Sequence, residues 1–200
     1  MVEQVRFHLH PLETPNFFDK ILERSLLKLI PQKVVPNHIT LFRYVSIPFI
    51  LYFLTTGYSN WGVTLFFISA FSDAVDGALA RTRNKITDWG KIHDPLADKL
   101  LISSVGAIVV TLYLSFYIIA AIIFIEILLI LNALLKMKKG MKIISALWPG
   151  KVKMVLQSFG IAFALLFIIF PYGGFLTLAA YLLYLAIFFA LLSLVVYGSI

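Results

Sequence analysis

Four aspartates in one short stretch are the residues of this chain best suited to chemistry. They are Asp73, Asp76, Asp94 and Asp98, and strongly apolar sequence flanks the stretch on both sides. An ionised carboxylate close to hydrocarbon is costly unless a counter-charge neutralises it. Four carboxylates in such surroundings therefore indicate a bound cation or a reaction centre.

The spacing predicts two helices that each carry one pair of aspartates. Asp73 and Asp76 are three residues apart, and Asp94 and Asp98 are four apart, so each pair shares a helical face. The segment 82–89 is polar and basic and suits a tight connection. The two helices are then antiparallel neighbours whose aspartate faces can meet.

Facing carboxylates favour bound metal ions. At a separation of about 5 Å, each pair repels by about 3 kcal/mol at an effective dielectric constant of 20. Protonation and bound cations would both relieve this repulsion. The chain has no cysteine, and clustered oxygen ligands favour hard ions such as Mg²⁺, with Mn²⁺ a second choice and Ca²⁺ a competitor. Gly77 leaves bare backbone beside the carboxylates, and two metals next to such a floor suggest chemistry on a phosphate ester.

The same residues resemble the signature of the CDP-alcohol phosphatidyltransferases. That signature reads D-x-x-D-G-x-x-A-R, eight residues, then G-x-x-x-D-x-x-x-D, and every spacing is met. The matching residues are Asp73, Asp76, Gly77, Ala80, Arg81, Gly90, Asp94 and Asp98. The resemblance implies an integral membrane enzyme that moves a phosphatidyl-type group from a CDP-linked lipid to an alcohol and releases CMP.

The resemblance also implies roles for these residues. The four aspartates would hold two divalent cations, Mg²⁺ or Mn²⁺, and Asp98 would also be the general base that takes the acceptor's hydroxyl proton. The first two aspartates would bind the nucleotide together with Gly77, Ala80, Arg81 and Gly90. The family is typically dimeric, so a homodimer is expected.

Composition places the protein in a membrane. Of its 200 residues, 60% are hydrophobic, and the mean hydropathy of +0.93 is too high for an ordinary soluble protein. The net charge of +7 suits either nucleic acid or an anionic membrane. The long apolar runs decide for the membrane, and no nucleic-acid partner is expected.

The predicted fold is all-α, one membrane domain over residues 1–200. Residues 14–30 alternate apolar and charged side chains at helical spacing, which predicts an amphipathic helix on the membrane surface. A bundle of six transmembrane helices follows over residues 38–199. Apolar runs of about 20 residues place the spans at 38–56, 61–81, 87–112, 115–137, 152–170 and 175–197.

Charge predicts the orientation of the bundle. The connections 55–60, 113–114 and 171–174 contain no lysine or arginine, whereas the connections on the other side are rich in both. The positive-inside rule then places both termini and the aspartates on the cytoplasmic side of the cell membrane.

Basic residues near the fifth span suggest the acceptor. The G-K-x-K pattern with a following glutamine over residues 150–157 resembles the phosphatidylglycerophosphate synthase branch. A phosphorylated acceptor such as glycerol 3-phosphate needs positive charges, for which Lys136, Lys151 and Lys153 are the candidates. Because Lys151 and Lys153 are two residues apart, at most one of them is expected to point into the cavity.

One departure from this branch leaves the acceptor open. Its fourth span usually carries two arginines, where this chain has Ile125 and Ala133. Inositol phosphate, phosphatidylglycerol and an uncharged alcohol therefore remain alternatives. A transporter with buried acidic relay residues is the competing class, but it does not explain the spacing of the glycines, alanine and arginine in the signature.

Two charged residues inside apolar spans have two interpretations each. Arg43 either extends toward lipid headgroups or pairs with the aspartates. Glu126, deep in the fourth span, is either functional or a hydrogen-bonded residue that braces the bundle. At the start of the first span, Asn37 or Thr40 is predicted to cap the helix.

Overall fold

The computed structural model describes residues 36–82, 88–138 and 148–199. These residues form six α-helices and contain no strand: α1 (Pro36–Thr55), α2 (Ser59–Thr82), α3 (Asp88–Tyr113), α4 (Phe116–Lys138), α5 (Trp148–Ile169) and α6 (Gly173–Ser199). The prediction of an all-α membrane protein is confirmed. The interfacial helix predicted over residues 14–30 lies outside the described residues.

Over the residues that the structure describes, five helices are long and apolar enough to cross a membrane: α1, α3, α4, α5 and α6. Helix α2 has 24 residues, which at 1.5 Å per residue exceeds the roughly 30 Å of a hydrocarbon core. Large hydrophobic side chains are exposed along the helices, as expected for surfaces that contact lipid.

The observed helix ends differ from the predicted ones by one to four residues. Helix α5 begins at Trp148 rather than at residue 152, because Pro149 fits the first turn, where a helix needs no N–H donor. Helix α1 begins at Pro36, so Asn37 and Thr40 lie inside it. The prediction that one of them caps this helix is wrong.

The chain divides into two compact units, and helices α1, α2 and α3 each contribute to both. The first unit lies within Met1–Ser46 and Phe67–Asp98. Its apolar core joins α1 to α2: the partly buried Ile39 packs against a buried cluster of Val75, Ala78 and Leu79. This contact determines which face of α1 lies against α2.

The second unit lies within Ile47–Phe66 and Lys99–Ile200. Helix α6 packs extensively against α5 and also contacts α4. Gly160 permits the close approach, since a Cβ atom there would lie 2.8 Å from Cγ of Leu183. In the same unit, Gly57 turns the chain from α1 into α2 with a φ of 87°, a conformation that favours glycine.

Candidate functional site

Arg43 is the centre of a polar cluster in the first unit. Its side chain is completely buried, and Nη2 lies 2.9 Å from Oδ1 of Asp73 on α2, whose side chain is 47% exposed. A buried guanidinium is stable only when acceptors satisfy it. Of the two interpretations of Arg43, pairing with the aspartates is therefore correct, and extension toward headgroups is wrong.

The same face of α1 also contacts α3. Arg43 Nη1 donates to the backbone carbonyl of Asp94 at 3.4 Å. One helical turn earlier, the buried hydroxyl of Thr40 donates a short hydrogen bond to Oδ1 of Asp94. Two side chains three residues apart on α1 thus contact one aspartate of each predicted pair. We call Thr40, Arg43, Asp73, Asp94 and Asp98 the aspartate cluster.

Asp98 belongs to this cluster by its electrostatic surroundings. It is partly buried on α3, four residues after Asp94, and the charges of both Asp73 and Arg43 act on it. The carboxylates of Asp73 on α2 and Asp98 on α3 are therefore close enough to act on each other electrostatically.

Hydrogen bonds around the cluster hold its helices in register. The buried hydroxyl of Ser46 lies 2.8 Å from that of Ser69, which links α1 to α2. Ser46 also donates to the carbonyl of Arg43, and the hydroxyl of Tyr44 donates to the carbonyl of His93 at 3.2 Å. Each bond joins α1 to a neighbouring helix or to its own preceding turn, so α1 is the element that positions the cluster.

Several predicted site residues lie outside the part of the chain whose side chains the structure describes. They are Asp76, Gly77, Ala80, Arg81 and Gly90. Among the described side chains, no three acidic or histidine groups lie close enough to hold a metal by themselves. The donor set nevertheless fits a hard cation, since Asp73, Asp94 and Asp98 supply only oxygen atoms. The two-metal site with Asp76 stays a prediction.

A second charged cluster lies in the second unit and is centred on Glu126 of α4. One carboxylate oxygen lies 3.2 Å from Nζ of Lys153 on α5, and the other lies 3.4 Å from Nζ of Lys99 on α3. The side chains of Glu126 and Lys153 are only 14% and 9% exposed. We call Lys99, Glu126 and Lys153 the Glu126 cluster.

The three lysines that were predicted to bind the acceptor differ in their exposure. Lys153 is buried, whereas Lys151 is exposed, in agreement with the prediction that at most one of the two points inward. Lys136 lies in the last turn of α4. Lys153 belongs to the partly buried Glu126 cluster.

Sequence reasoning missed Thr40 and Lys99 as site residues. Thr40 was assigned to a helix cap, although its spacing of three from Arg43 on an apolar helix was a signal for a shared polar face. Lys99 directly follows Asp98, the last residue of the signature. The presence of Glu126 in an apolar span was the available hint that a cation from another helix must face it.

Comparisons with known proteins agree with the signature. A sequence model of the family described as CDP-alcohol phosphatidyltransferase matches residues 33–192. A protein of Rickettsia typhi named CDP-diacylglycerol–glycerol-3-phosphate 3-phosphatidyltransferase is 38% identical over 76 residues, which cover 36% of this chain and 43% of the relative. A protein of the same name from Escherichia coli (strain K12) is 32% identical over 138 residues, which cover 66% of this chain and 76% of that relative.

The match with the Rickettsia protein spans less than half of that relative's length, whereas the family match extends over most of this chain. The family match includes helix α1 with Arg43 as well as the aspartates of α2 and α3. On these grounds, the chain belongs to the CDP-alcohol phosphatidyltransferase family.

Proposed function

We propose that this protein transfers a phosphatidyl-type group from a CDP-linked lipid to glycerol 3-phosphate and releases CMP. The observation that supports the proposal is the aspartate cluster. In this member of the family, Thr40 and Arg43 of α1 contact signature aspartates of both α2 and α3. The acceptor is inferred from the relatives, whose names include glycerol 3-phosphate. The donor is CDP-diacylglycerol or a similar CDP-linked lipid.

The reaction exchanges the phosphoanhydride bond of the CDP-linked lipid for a phosphodiester bond to the acceptor. The acceptor's hydroxyl oxygen attacks the lipid-bearing phosphorus of the diphosphate, and the bond from that phosphorus to the CMP oxygen breaks. CMP leaves with the bonding electron pair, and Asp98 takes the hydroxyl proton. Asp98 suits this role because it is partly buried and near the other carboxylates, so a bound donor would lie within reach of it.

Two divalent cations held by Asp73, Asp76, Asp94 and Asp98 would offset the negative charge of the diphosphate. Thr40 and Arg43 contribute by orientation, since they fix the aspartates of α2 and α3 from one side. A displacement of about 1 Å in such a centre can cost about 100-fold in rate.

The acceptor's phosphate needs cations of its own, which Lys136, Lys151 and Lys153 supply in this proposal. Lys153 is the strongest candidate because it is buried within a polar cluster. Gly77, Ala80, Arg81 and Gly90 are proposed to bind the nucleotide, on the basis of the family signature alone. A cytoplasmic active site in the cell membrane and a homodimer complete the proposal.

The test is release of CMP by purified protein in lipid vesicles. CDP-diacylglycerol is supplied with Mg²⁺ or Mn²⁺ and, in parallel, with glycerol 3-phosphate, inositol phosphate, phosphatidylglycerol or glycerol. We expect CMP release with glycerol 3-phosphate, its loss in excess chelator, and its return when metal is restored. Transfer to another acceptor alone would reject glycerol 3-phosphate but keep the transferase chemistry. No CMP release with any acceptor would reject the enzyme and favour the transporter alternative.

A further inference from the structure

Asp94 occupies an unfavourable position in the backbone of α3. The helix continues through Pro95, which has no N–H group and therefore leaves the carbonyl one turn earlier without its usual donor. Asp94 directly precedes this proline, and a proline ring disfavours helical backbone angles for the residue before it. The helix is therefore weakened at one of the signature aspartates. We call His93, Asp94 and Pro95 the pre-proline segment.

Three side chains of α1 contact the pre-proline segment. The hydroxyl of Tyr44 donates to the carbonyl of His93 at 3.2 Å, and Nη1 of Arg43 donates to the carbonyl of Asp94 at 3.4 Å. Thr40 donates to the carboxylate of Asp94. In a membrane-spanning helix, a proline is tolerated where neighbouring helices supply hydrogen bonds to the backbone around it. The contacts of α1 meet this requirement.

The ring of His93 holds the phenol ring of Tyr44 in place. The ring centroids lie 6.3 Å apart with an interplanar angle of 77°, which is the favourable edge-to-face arrangement. Nδ1 of His93 lies 3.5 Å from the phenolic oxygen, at the limit for a hydrogen bond, so the carbonyl of His93 is the better acceptor. Within the described part of the chain, the hydrogen bonds of the Tyr44 side chain go to His93 alone. Tyr44 therefore acts on Asp94 through the backbone of α3.

We propose that Tyr44 is a positioning residue that holds the pre-proline segment and thereby directs the carboxylate of Asp94 toward the aspartate cluster. Thr40 and Arg43 contact Asp94 itself, whereas Tyr44 contacts the residue before it. The inference rests on the proposed function, in which Asp94 is a metal ligand, and adds to it a residue outside the signature. Because the need for Tyr44 arises from Pro95, the effects of the two residues should be coupled.

A double-mutant cycle of Tyr44→Phe and Pro95→Ala tests this coupling. Phenylalanine keeps the ring but removes the hydroxyl donor, and alanine returns the missing N–H group to α3. Tyr44→Phe alone should lower the melting temperature in detergent by about 2–4 °C, the loss of one hydrogen bond in a chain of this length. In the Pro95→Ala background, the same change should cost less than about 1 °C. Equal losses in the two backgrounds would overturn the proposal.

Metal binding and kinetics separate positioning from a purely structural role. Tyr44→Phe should weaken the binding of Mn²⁺ to the substrate-free protein, measured by electron paramagnetic resonance, by about tenfold, the lower end for residues that orient a metal ligand. The kcat for CMP release should also fall by about tenfold, less than the roughly 100-fold cost of a 1 Å displacement. Both KM values should stay within about twofold, and both losses should be absent in the Pro95→Ala background.

Tyr52→Phe is the matched control, since it removes an exposed phenol hydroxyl from the same helix. If Tyr44 only braces the helices, Tyr44→Phe will lower the melting temperature but keep the Mn²⁺ affinity and the kcat of Tyr52→Phe. That result would reject the positioning role. If the two substitutions are coupled in melting temperature but the wild-type protein neither binds Mn²⁺ nor releases CMP, the contact of Tyr44 with the pre-proline segment stands and the proposed function fails.

Hydrogen exchange tests the same contact if Pro95→Ala does not fold. In a regular helix, the amides of Ala97 and Asp98 donate to the carbonyls of His93 and Asp94. These two amides should exchange about fivefold faster in Tyr44→Phe than in Tyr52→Phe, because the pre-proline segment opens locally more often. Identical exchange in the two variants would show that Tyr44 does not hold the segment.

Discussion

Replacing Arg43 with methionine is expected to loosen the aspartate cluster. Methionine keeps the buried aliphatic volume but removes the charge and all the donors of the guanidinium group. Asp73 then loses its ion-pair partner at 2.9 Å, and the carbonyl of Asp94 loses a donor at 3.4 Å. The contacts of Thr40 remain, so the helices lose part of their connection rather than all of it.

The size of the effect follows from these contacts. A hydrogen bond to a charged group contributes about 1.5–3 kcal/mol, and the lower end applies because Asp73 is 47% exposed. The long bond to the Asp94 carbonyl adds about 0.5 kcal/mol. The sum is about 2 kcal/mol, which lowers the melting temperature of a chain of this length by about 4–8 °C. Misplaced aspartates should also reduce the rate of CMP release by about 100-fold.

Thermal unfolding of the purified protein in detergent, with the rate of CMP release measured in parallel, tests this expectation. Arg43→Lys should lie between wild type and Arg43→Met, because lysine keeps the charge but lacks the planar fork that reaches both aspartates. Phe42→Leu is the control, since Phe42 is the exposed neighbour of Arg43 on α1 and should change stability by less than about 0.5 kcal/mol. An Arg43→Met protein as stable and as active as Phe42→Leu would refute the role assigned to the guanidinium group.

Two further predictions concern the hydroxyl on α1 and the orientation of the chain. Thr40→Val removes the donor to Asp94 and should cost about 1 kcal/mol in thermal unfolding together with a slower release of CMP. Thr40→Ser should restore both, and a Thr40→Val protein indistinguishable from wild type would show that the bond is not needed. For the orientation, a cysteine in place of the exposed Tyr58 should react with an impermeant thiol reagent added to intact cells. A cysteine at Lys138 should react only in opened membranes, and the reverse pattern would place the aspartates on the outer side.

The helices could be predicted well from sequence because a membrane span has a simple requirement. About 20 apolar residues are needed, and all six predicted spans correspond to helices. The largest difference in a helix end, at Trp148, arose because Pro149 lets α5 begin one turn earlier, in sequence that is not continuously apolar. A criterion based on the length of an apolar run does not detect such a turn.

The site could be predicted only where the sequence itself carries the pattern. Asp73, Asp94 and Asp98 follow from local spacing along two helices, which a sequence displays directly. The contacts of Thr40 with Asp94 and of Lys99 with Glu126 join residues that are distant in the chain. Nothing in the local pattern specifies which faces of two helices meet, so these partners required the structure.

Release of CMP by Asp98→Asn tests most directly whether the aspartate cluster is the catalytic centre. Asparagine keeps the shape of the side chain but cannot accept the hydroxyl proton. With CDP-diacylglycerol, glycerol 3-phosphate and Mg²⁺ supplied, we expect kcat to fall by roughly 10²–10⁴-fold, the range for loss of a general base. Ser104→Ala, whose hydroxyl donates to carbonyls of the preceding turn of α3, should retain the wild-type rate. If Asp98→Asn released CMP as fast as Ser104→Ala, Asp98 would not be the base and the centre would lie elsewhere.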